Sequence, residues 1–146
     1  MKSKFFVKGV ISILLIFLSM YLIDVFVTIP NNVSIKVNEI EYSFKGKIIE
    51  KFAVRNTEPT HLKVLIKYDS IITISPNLDL VDVAAVGDSL YKPANENYIF
   101  LSSNGNVKKF FYTKLSYETR SNKNFPREWR NKWLDSSMWD SSKEIN

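Results

Sequence analysis

Hydrophobic and polar residues fall into three regimes along this chain. The first is nearly continuous: from Val10 to Ile23 only Ser12 and Ser19 are polar, and after Asp24 the residues Val25-Phe26-Val27 carry the apolar run towards Pro30. The second regime alternates. Val33, Ile35 and Val37 share one face of an extended chain, and Ile40, Tyr42, Phe44 and Ile48 share another, with the change of phase near Asn38-Glu39 predicting a break or bulge. Gly46 lies inward on the second run, as expected where a strand bends to close a small barrel. Leu62, Val64 and Ile66 alternate again, and residues 70–75 form a short β-branched strand. The period then changes. Ser75 as N-cap, Pro76 at the first helical position, Asp79 in the first turn and the spacing of Leu78, Val81 and Ala85 predict a short helix over 76–85, ended by Gly87. "SLYK" then starts a strand, "NYIFLSS" is another piece of strand, and "NVKKFFYTKL" returns after Asn104-Gly105, a strong hairpin signal. In the third regime a polar stretch precedes Phe125, Trp129 and Trp133, whose i, i+4, i+8 spacing marks one stripe of a short helix opening near Pro126.

Three strands, a short helix and a hairpin is the order of a small five- to six-stranded β-barrel, OB-like or SH3-like, with an open sheet as the alternative. The division that follows is a basic flank at 1–9, a transmembrane anchor at 10–29, a linker or first strand at 30–38, the barrel at 39–116, and a polar linker with the Trp-bearing helix at 117–146. At 146 residues there is room for one such domain plus an appendage.

Charge and composition change the picture little. Lys2, Lys4, Lys8 and Asp24 all precede Pro30, so of the 20 basic and 15 acidic residues the later chain keeps 17 and 14, a net +3. That dispersed excess does not by itself imply a polyanionic partner. The absence of cysteine excludes disulfides, thiolate catalysis, Cys-based zinc sites and a lipid-modified cysteine, and the single histidine, His61, excludes a multi-His metal centre.

The apolar N-terminal run fits a cleaved signal peptide by length, yet no pair of small residues sits three and one before a plausible cut. An uncleaved anchor over 10–29 spans about 30 Å at ~1.5 Å per residue, enough to cross a bilayer. Asp24 would cost about 2.5–3.5 kcal/mol at mid-bilayer, and less near the outer end where it lies. In either case the flanking lysines hold the N-terminus in the cytoplasm and place the rest outside the cell membrane, periplasmic or extracellular. A buried helix of a soluble protein is the third reading.

Gly87-Asp88-Ser89-Leu90 resembles the opening motif of the GDSL-type ester hydrolases, which would make Ser89 a nucleophile. Such a serine needs a base within hydrogen-bond reach. No histidine follows Ser89, and Gly105 is the one glycine after it, so the motif's late Asp-x-x-His and its oxyanion-hole glycines are missing. A turn explains the same letters: Gly87 adopts the left-handed conformation and Asp88 caps it through its side chain. Asn77, Asp79, Asp82 and Asp88 do not have the spacing of a calcium loop and read as polar positions around a helix. Asn32-Val33-Ser34 is a glycosylation sequon, relevant only to a eukaryotic secretory route. No catalytic, cofactor or metal site is expected, nor a small-molecule substrate. Trp129 and Trp133 with Arg127 and Arg130 either dock on the barrel or offer an interaction surface.

Four segments in order, Phe44-x-Gly46-x-Ile48-x-x-Lys51, Thr60-His61-Leu62-Lys63-Val64, Val86-Gly87-Asp88-Ser89-Leu90-x-Lys92 and Tyr98-Ile99-x-Leu101, resemble small uncharacterised bacterial envelope proteins. These have an N-terminal hydrophobic segment and one β-domain carrying "GDSI-x-K". The resemblance spans roughly residues 44–112; Pro93-Ala94 departs from the Gly-bearing turn of that pattern. It implies an envelope location and a β-domain and carries no catalytic role. The resulting expectation is a non-enzymatic, single-pass membrane protein displaying its domain to an envelope protein or surface polymer. The alternatives are a single-stranded nucleic-acid-binding module, since OB barrels stack bases on aromatics, and the GDSL-type hydrolase.

Overall fold

The computed structural model describes residues 2–55 and 57–138. Helix runs unbroken from Lys2 to Glu41: α1 (Lys2–Ile23), a π-helical turn (Asp24–Thr28) and α2 (Ile29–Glu41). The π turn, in which the amide of Ile29 donates to the carbonyl of Asp24, lies directly ahead of Pro30, the residue with no N–H for the helical ladder. A wider turn at that point lets the proline pass without ending the helix. Residues 30–38 are therefore helical, and the expected linker or first strand is corrected. Val33, Ile35 and Val37 fit a period of two, but Val33, Val37 and Ile40 also fit i, i+4, i+7. The helical period wins because it buries Val33 and Ile40 and half-buries Val37, while Ile35 faces outward.

Along the first part of this helix the side chains from Val10 to Ile29 touch little. Leu14, Phe17, Met20, Tyr21 and Phe26 are more than 60% exposed. The helix is long and apolar enough to cross a membrane and no part of its most apolar stretch is buried by the rest of the protein. That exposure removes the reading as a core helix of a soluble protein.

Six antiparallel strands follow: β1 (Phe44–Phe52), β2 (His61–Leu65), β3 (Ile71–Ile74), β4 (Ser89–Lys92), β5 (Tyr98–Ser103) and β6 (Asn106–Phe111). They form one sheet in the order β3-β2-β1-β4-β5-β6. The expected barrel is not closed, because closure would require β3 to pair with β6 and both remain edges. The sheet curls instead, and the chain just past the two edges meets in one backbone bond, from the amide of Asn77 to the carbonyl of Tyr112 at 2.9 Å. Gly46 serves a close approach rather than closure: a Cβ there would stand 2.6 Å from Val64 Cγ1 and nearer still to the carbonyl oxygen of Leu65. The bulge lies between Ile48 and Glu50, ten residues beyond the expected position. The β5–β6 hairpin turns through Asn104 and Gly105, both with positive φ (49° and 81°), the conformation that Asn-Gly predicts.

The helix expected over 76–85 is α3 (Leu78–Val83). Its N-cap is Asn77, whose side chain accepts the amide of Asp79 at 3.0 Å, and Pro76 precedes the cap. Leu80, Val81 and Ala84 pack on the concave face of the sheet against Ile48, Leu62, Val64, Leu90 and Ile99. A second cluster joins Val33 and Ile40 of α2 to Leu115, Phe125, Trp129 and Trp133. The described part of the segment, 117–138, is therefore part of the domain. Phe125 to Trp133 do not form the expected helix: after α4 (Tyr117–Ser121) comes a 3-10 turn at Arg127–Trp129, Trp133 is left-handed at φ 54°, and α5 (Asp135–Met138) ends the described chain. Residues 139–146 of the expected C-terminal unit lie outside the described residues.

Candidate functional site

The Gly87-Asp88-Ser89-Leu90 letters build a turn whose every member has a structural task. Ala85 to Asp88 close a β-turn, with the amide of Asp88 on the carbonyl of Ala85 (3.1 Å) and Gly87 at φ 102°. Asp88 Oδ2 accepts the amide of Ala85 at 2.9 Å. The turn is tied to β1 by a reciprocal pair: Ile48 accepts the amide of Gly87 and donates to the carbonyl of Asp88, both at 2.8 Å, beside the bulge. Leu90 enters the core and Ser89 is exposed. Ser89 pairs with Lys47 on one side of β1, and His61 pairs with Phe52 on the other, so roughly 15 Å of strand separates serine and imidazole. They line different hollows. Ser89 lies on the outer face of the sheet. His61, its Nδ1 2.7 Å from the Thr60 hydroxyl, borders a hollow of about 590 Å³ with Glu39, Tyr42 and Tyr112 at the end of α2. Burial holds the Glu39 carboxyl above its ordinary range, with Lys36 and Lys92 opposing.

Two lysines of the "Phe44…Lys51" and "Gly87…Lys92" segments close helix ends. Lys92 Nζ is wholly buried and donates to the carbonyls of Ile40 (2.9 Å), Tyr42 (2.9 Å), Pro93 (3.1 Å) and Glu96 (3.0 Å), over the ring of Tyr112 at 5.2 Å. A cation at the carbonyl end of α2 complements the helix dipole and satisfies carbonyls that no helical amide reaches. Desolvation pushes Lys92 down to about 8, with Glu39 and Glu96 pulling the other way. Lys51 Nζ donates to the carbonyl of Ala84, the C-cap of α3, at 2.7 Å. The lysines thus fasten both helices to the sheet.

Trp129 and Trp133 are 6% and 9% exposed and stack edge-to-face at 5.9 Å within the second cluster. Trp133 Nε1 donates to Glu96 Oε2 at 3.2 Å. Of the two arginines expected beside them, Arg127 is exposed and Arg130 is half-buried with Nη2 on the carbonyl of Asn122 at 3.2 Å. The docking is organised by Arg120, which the sequence did not single out. Its guanidinium gathers the carbonyls of Leu115, Arg130, Lys132 and Trp133 together with Ser136 Oγ.

What the fold leaves open is the outer face of β1, β4, β5 and β6. Cross-strand register aligns Lys45, Tyr91, Phe100 and Lys109 in one row and Lys47, Ser89, Ser102 and Val107 in the next. Tyr91 and Phe100 lie near-parallel, 21° apart with centroids at 6.1 Å. Around them is a shallow hollow of about 630 Å³ lined by Lys45, Ser89, Tyr91, Phe100, Ser102 and Val107. A second, of about 530 Å³, shares Lys45 and Tyr91 and continues towards Tyr42 and Lys67. The one ion pair among the described residues is Lys63 with Glu50 at 2.7 Å, so Lys45, Lys47 and Lys109 have no carboxylate partner there. Tyr91 is 48% exposed although it lies in a strand of the sheet. Its phase is the signal, since it alternates with the inward Leu90 and Lys92. The described residues hold no cluster of His, Asp and Glu that could bind a metal ion. No protein-family model, curated protein or solved structure matches this chain.

Proposed function

We propose that this is a non-enzymatic, single-pass membrane protein whose β-domain stands outside the cytoplasmic membrane and binds an envelope protein or a surface polymer. The observation that carries the reading is the exposed apolar helix running without interruption into α2, which is itself core to the domain. An apolar helical surface of this length needs a non-aqueous surrounding. Continuity also speaks for an uncleaved anchor, because a cut before Pro30 would fall inside the helix. The lysines ahead of the apolar run support the cytoplasmic N-terminus. The turn role of Gly87 and Asp88 supports the non-enzymatic reading, since it accounts for the GDSL letters without a reaction. Recruitment of single-stranded nucleic acid is the second reading. It draws on Tyr91 and Phe100 between lysines, and the orientation of the anchor speaks against it.

The test is sidedness. A C-terminal tag on the full chain should be digested when protease is added to intact spheroplasts. A tag protected until the membrane is opened would put the domain in the cytoplasm and reverse the reading. In the same cells Ser89→Ala should leave ester hydrolysis at the wild-type level; loss of an ester-hydrolysing activity in that variant would restore the enzyme.

A further inference from the structure

We infer that the binding site is the outer sheet face bearing the row Lys45–Tyr91–Phe100–Lys109, and that its ligand is a carboxylate-bearing polysaccharide. This deepens the binding role proposed above and depends on it for the polymer's place outside the membrane. The row crosses four strands, so its two lysines stand three strand spacings apart, roughly 14 Å between backbones. The two hollows meet at Lys45 and Tyr91, making a groove longer than one sugar ring and open at its ends.

The chemistry of the face selects the ligand. Tyr91 and Phe100, near-parallel at 6.1 Å, offer apolar ring surface suited to the C–H face of a pyranose ring. Ser89 and Ser102, paired in the neighbouring row, supply hydroxyls for a hydroxyl-rich chain. Lys45, Lys47 and Lys109 supply point charges with no intramolecular carboxylate partner among the described residues. In a uronate the carboxylate is carried by the ring itself, which matches lysines whose backbones stand one strand spacing from an aromatic residue, Lys45 beside Tyr91 and Lys109 beside Phe100 with its ammonium 3.5 Å from the centre of the Tyr98 ring. Nucleic acid fits less well. The rings are 6.1 Å apart, too close for a base to enter between them, so a base could stack only on the outside of one ring. These rows also hold no arginine, the side chain that grips phosphates and base edges in a bidentate fork.

The experiment titrates the full chain in uncharged detergent with oligogalacturonate, followed by calorimetry. Neutral dextran oligomers and an oligothymidylate of matched charge are run alongside. Saturable binding to oligogalacturonate that weakens with salt is expected, at least tenfold tighter than to either control. Tyr91→Ala with Phe100→Ala should weaken it at least tenfold. Lys45→Glu with Lys109→Glu, at exposed positions, should abolish it with the unfolding temperature held. Binding unchanged in both double variants would overturn the site. Tighter binding of oligothymidylate, or no binding of oligogalacturonate, would overturn the ligand class. None of these outcomes depends on which side of the membrane the domain faces, so the tag experiment separately decides the proposed placement.

Discussion

Replacing Gly46 by alanine adds one carbon at the most crowded point of the sheet. The new Cβ would lie 2.6 Å from Val64 Cγ1 and closer to the carbonyl oxygen of Leu65. Carbon atoms rest at ~3.5 Å or more, so one strand must retreat by about 1 Å. Valine can change rotamer at a cost of about 1 kcal/mol, but the Leu65 carbonyl belongs to the Lys47–Leu65 ladder position and moves only with its strand. That rotamer cost, one or two ladder bonds at ~1 kcal/mol each and overpacking of about 1–3 kcal/mol together give a destabilisation of roughly 3–6 kcal/mol. For a domain of this size that lowers the unfolding midpoint by about 12–25 °C. Gly87 is the control. There a Cβ meets nothing nearer than Lys47 Cε at 3.9 Å, and the penalty is that of φ 102° alone, about 1–2 kcal/mol. Thermal unfolding of both variants in the same detergent, followed by tryptophan fluorescence, should rank Gly46→Ala well below Gly87→Ala. Equal midpoints, or Gly46→Ala within 1 kcal/mol of the wild type, would refute the close-approach account of this glycine.

Lys92 gives the domain a signed pH dependence. Its folded pKa is near 8 against an ordinary 10.5, so between those values the unfolded chain holds a proton that the folded chain has lost, and stability rises with pH. The gain is on the order of 2–3 kcal/mol up to pH 10, where Tyr112, held above its ordinary 10.0 by burial, starts to work against it. Denaturant midpoints from pH 7 to 10 should show that slope, and Lys92→Met should flatten it. Trp129→Ala should cost about 3–5 kcal/mol by opening the cluster that seats α2, measured as the loss of denaturant resistance. Asp88→Ala should cost about 1 kcal/mol through the lost bond to the Ala85 amide, and Ser89→Ala essentially nothing in the same assay.

The sheet strands were legible from local signals: β2 lies inside the alternating stretch of Leu62, Val64 and Ile66, β3 inside a β-branched run, and the Asn-Gly turn marked the hairpin of β5 and β6. Two things were not local. Residues 33–40 satisfy both periods, and what decides is the hydrophobic cluster waiting for Val33 and Ile40, contributed by residues about 75–100 positions later. Closure could not be read either, since it depends on whether two edge strands far apart in sequence meet. The proposed binding face was half visible. Lys45, Tyr91 and Phe100 each stand at outward positions in their own strands, but the row they form exists only once β1, β4 and β5 are aligned in register. The tryptophan stripe was visible as apolar spacing, yet its burial depends on Arg120, whose carbonyl partners lie five to thirteen residues away along an irregular chain.

Under the proposed anchoring, the join between the apolar helix and the domain limits how the protein can act. A flexible tether would let the sheet search the envelope, but here α2 leaves the apolar segment as continuous helix and ends under the Lys92 clamp. From Ile29 to Glu41 the rise is about 18 Å, so under the proposed anchoring the domain stays close to the bilayer and the helix sets its orientation. The same stiffness makes the clamp testable through ligand binding. If the sheet face meets its polymer while the helix fixes its attitude, then weakening the clamp should leave the affinity of the solubilised chain intact while impairing the anchored protein in cells. Lys92→Met separates these directly: unaltered oligogalacturonate binding in detergent with reduced retention of the polymer by spheroplasts is the expected pair. Equal retention by wild type and variant would mean that the rigid join serves folding alone.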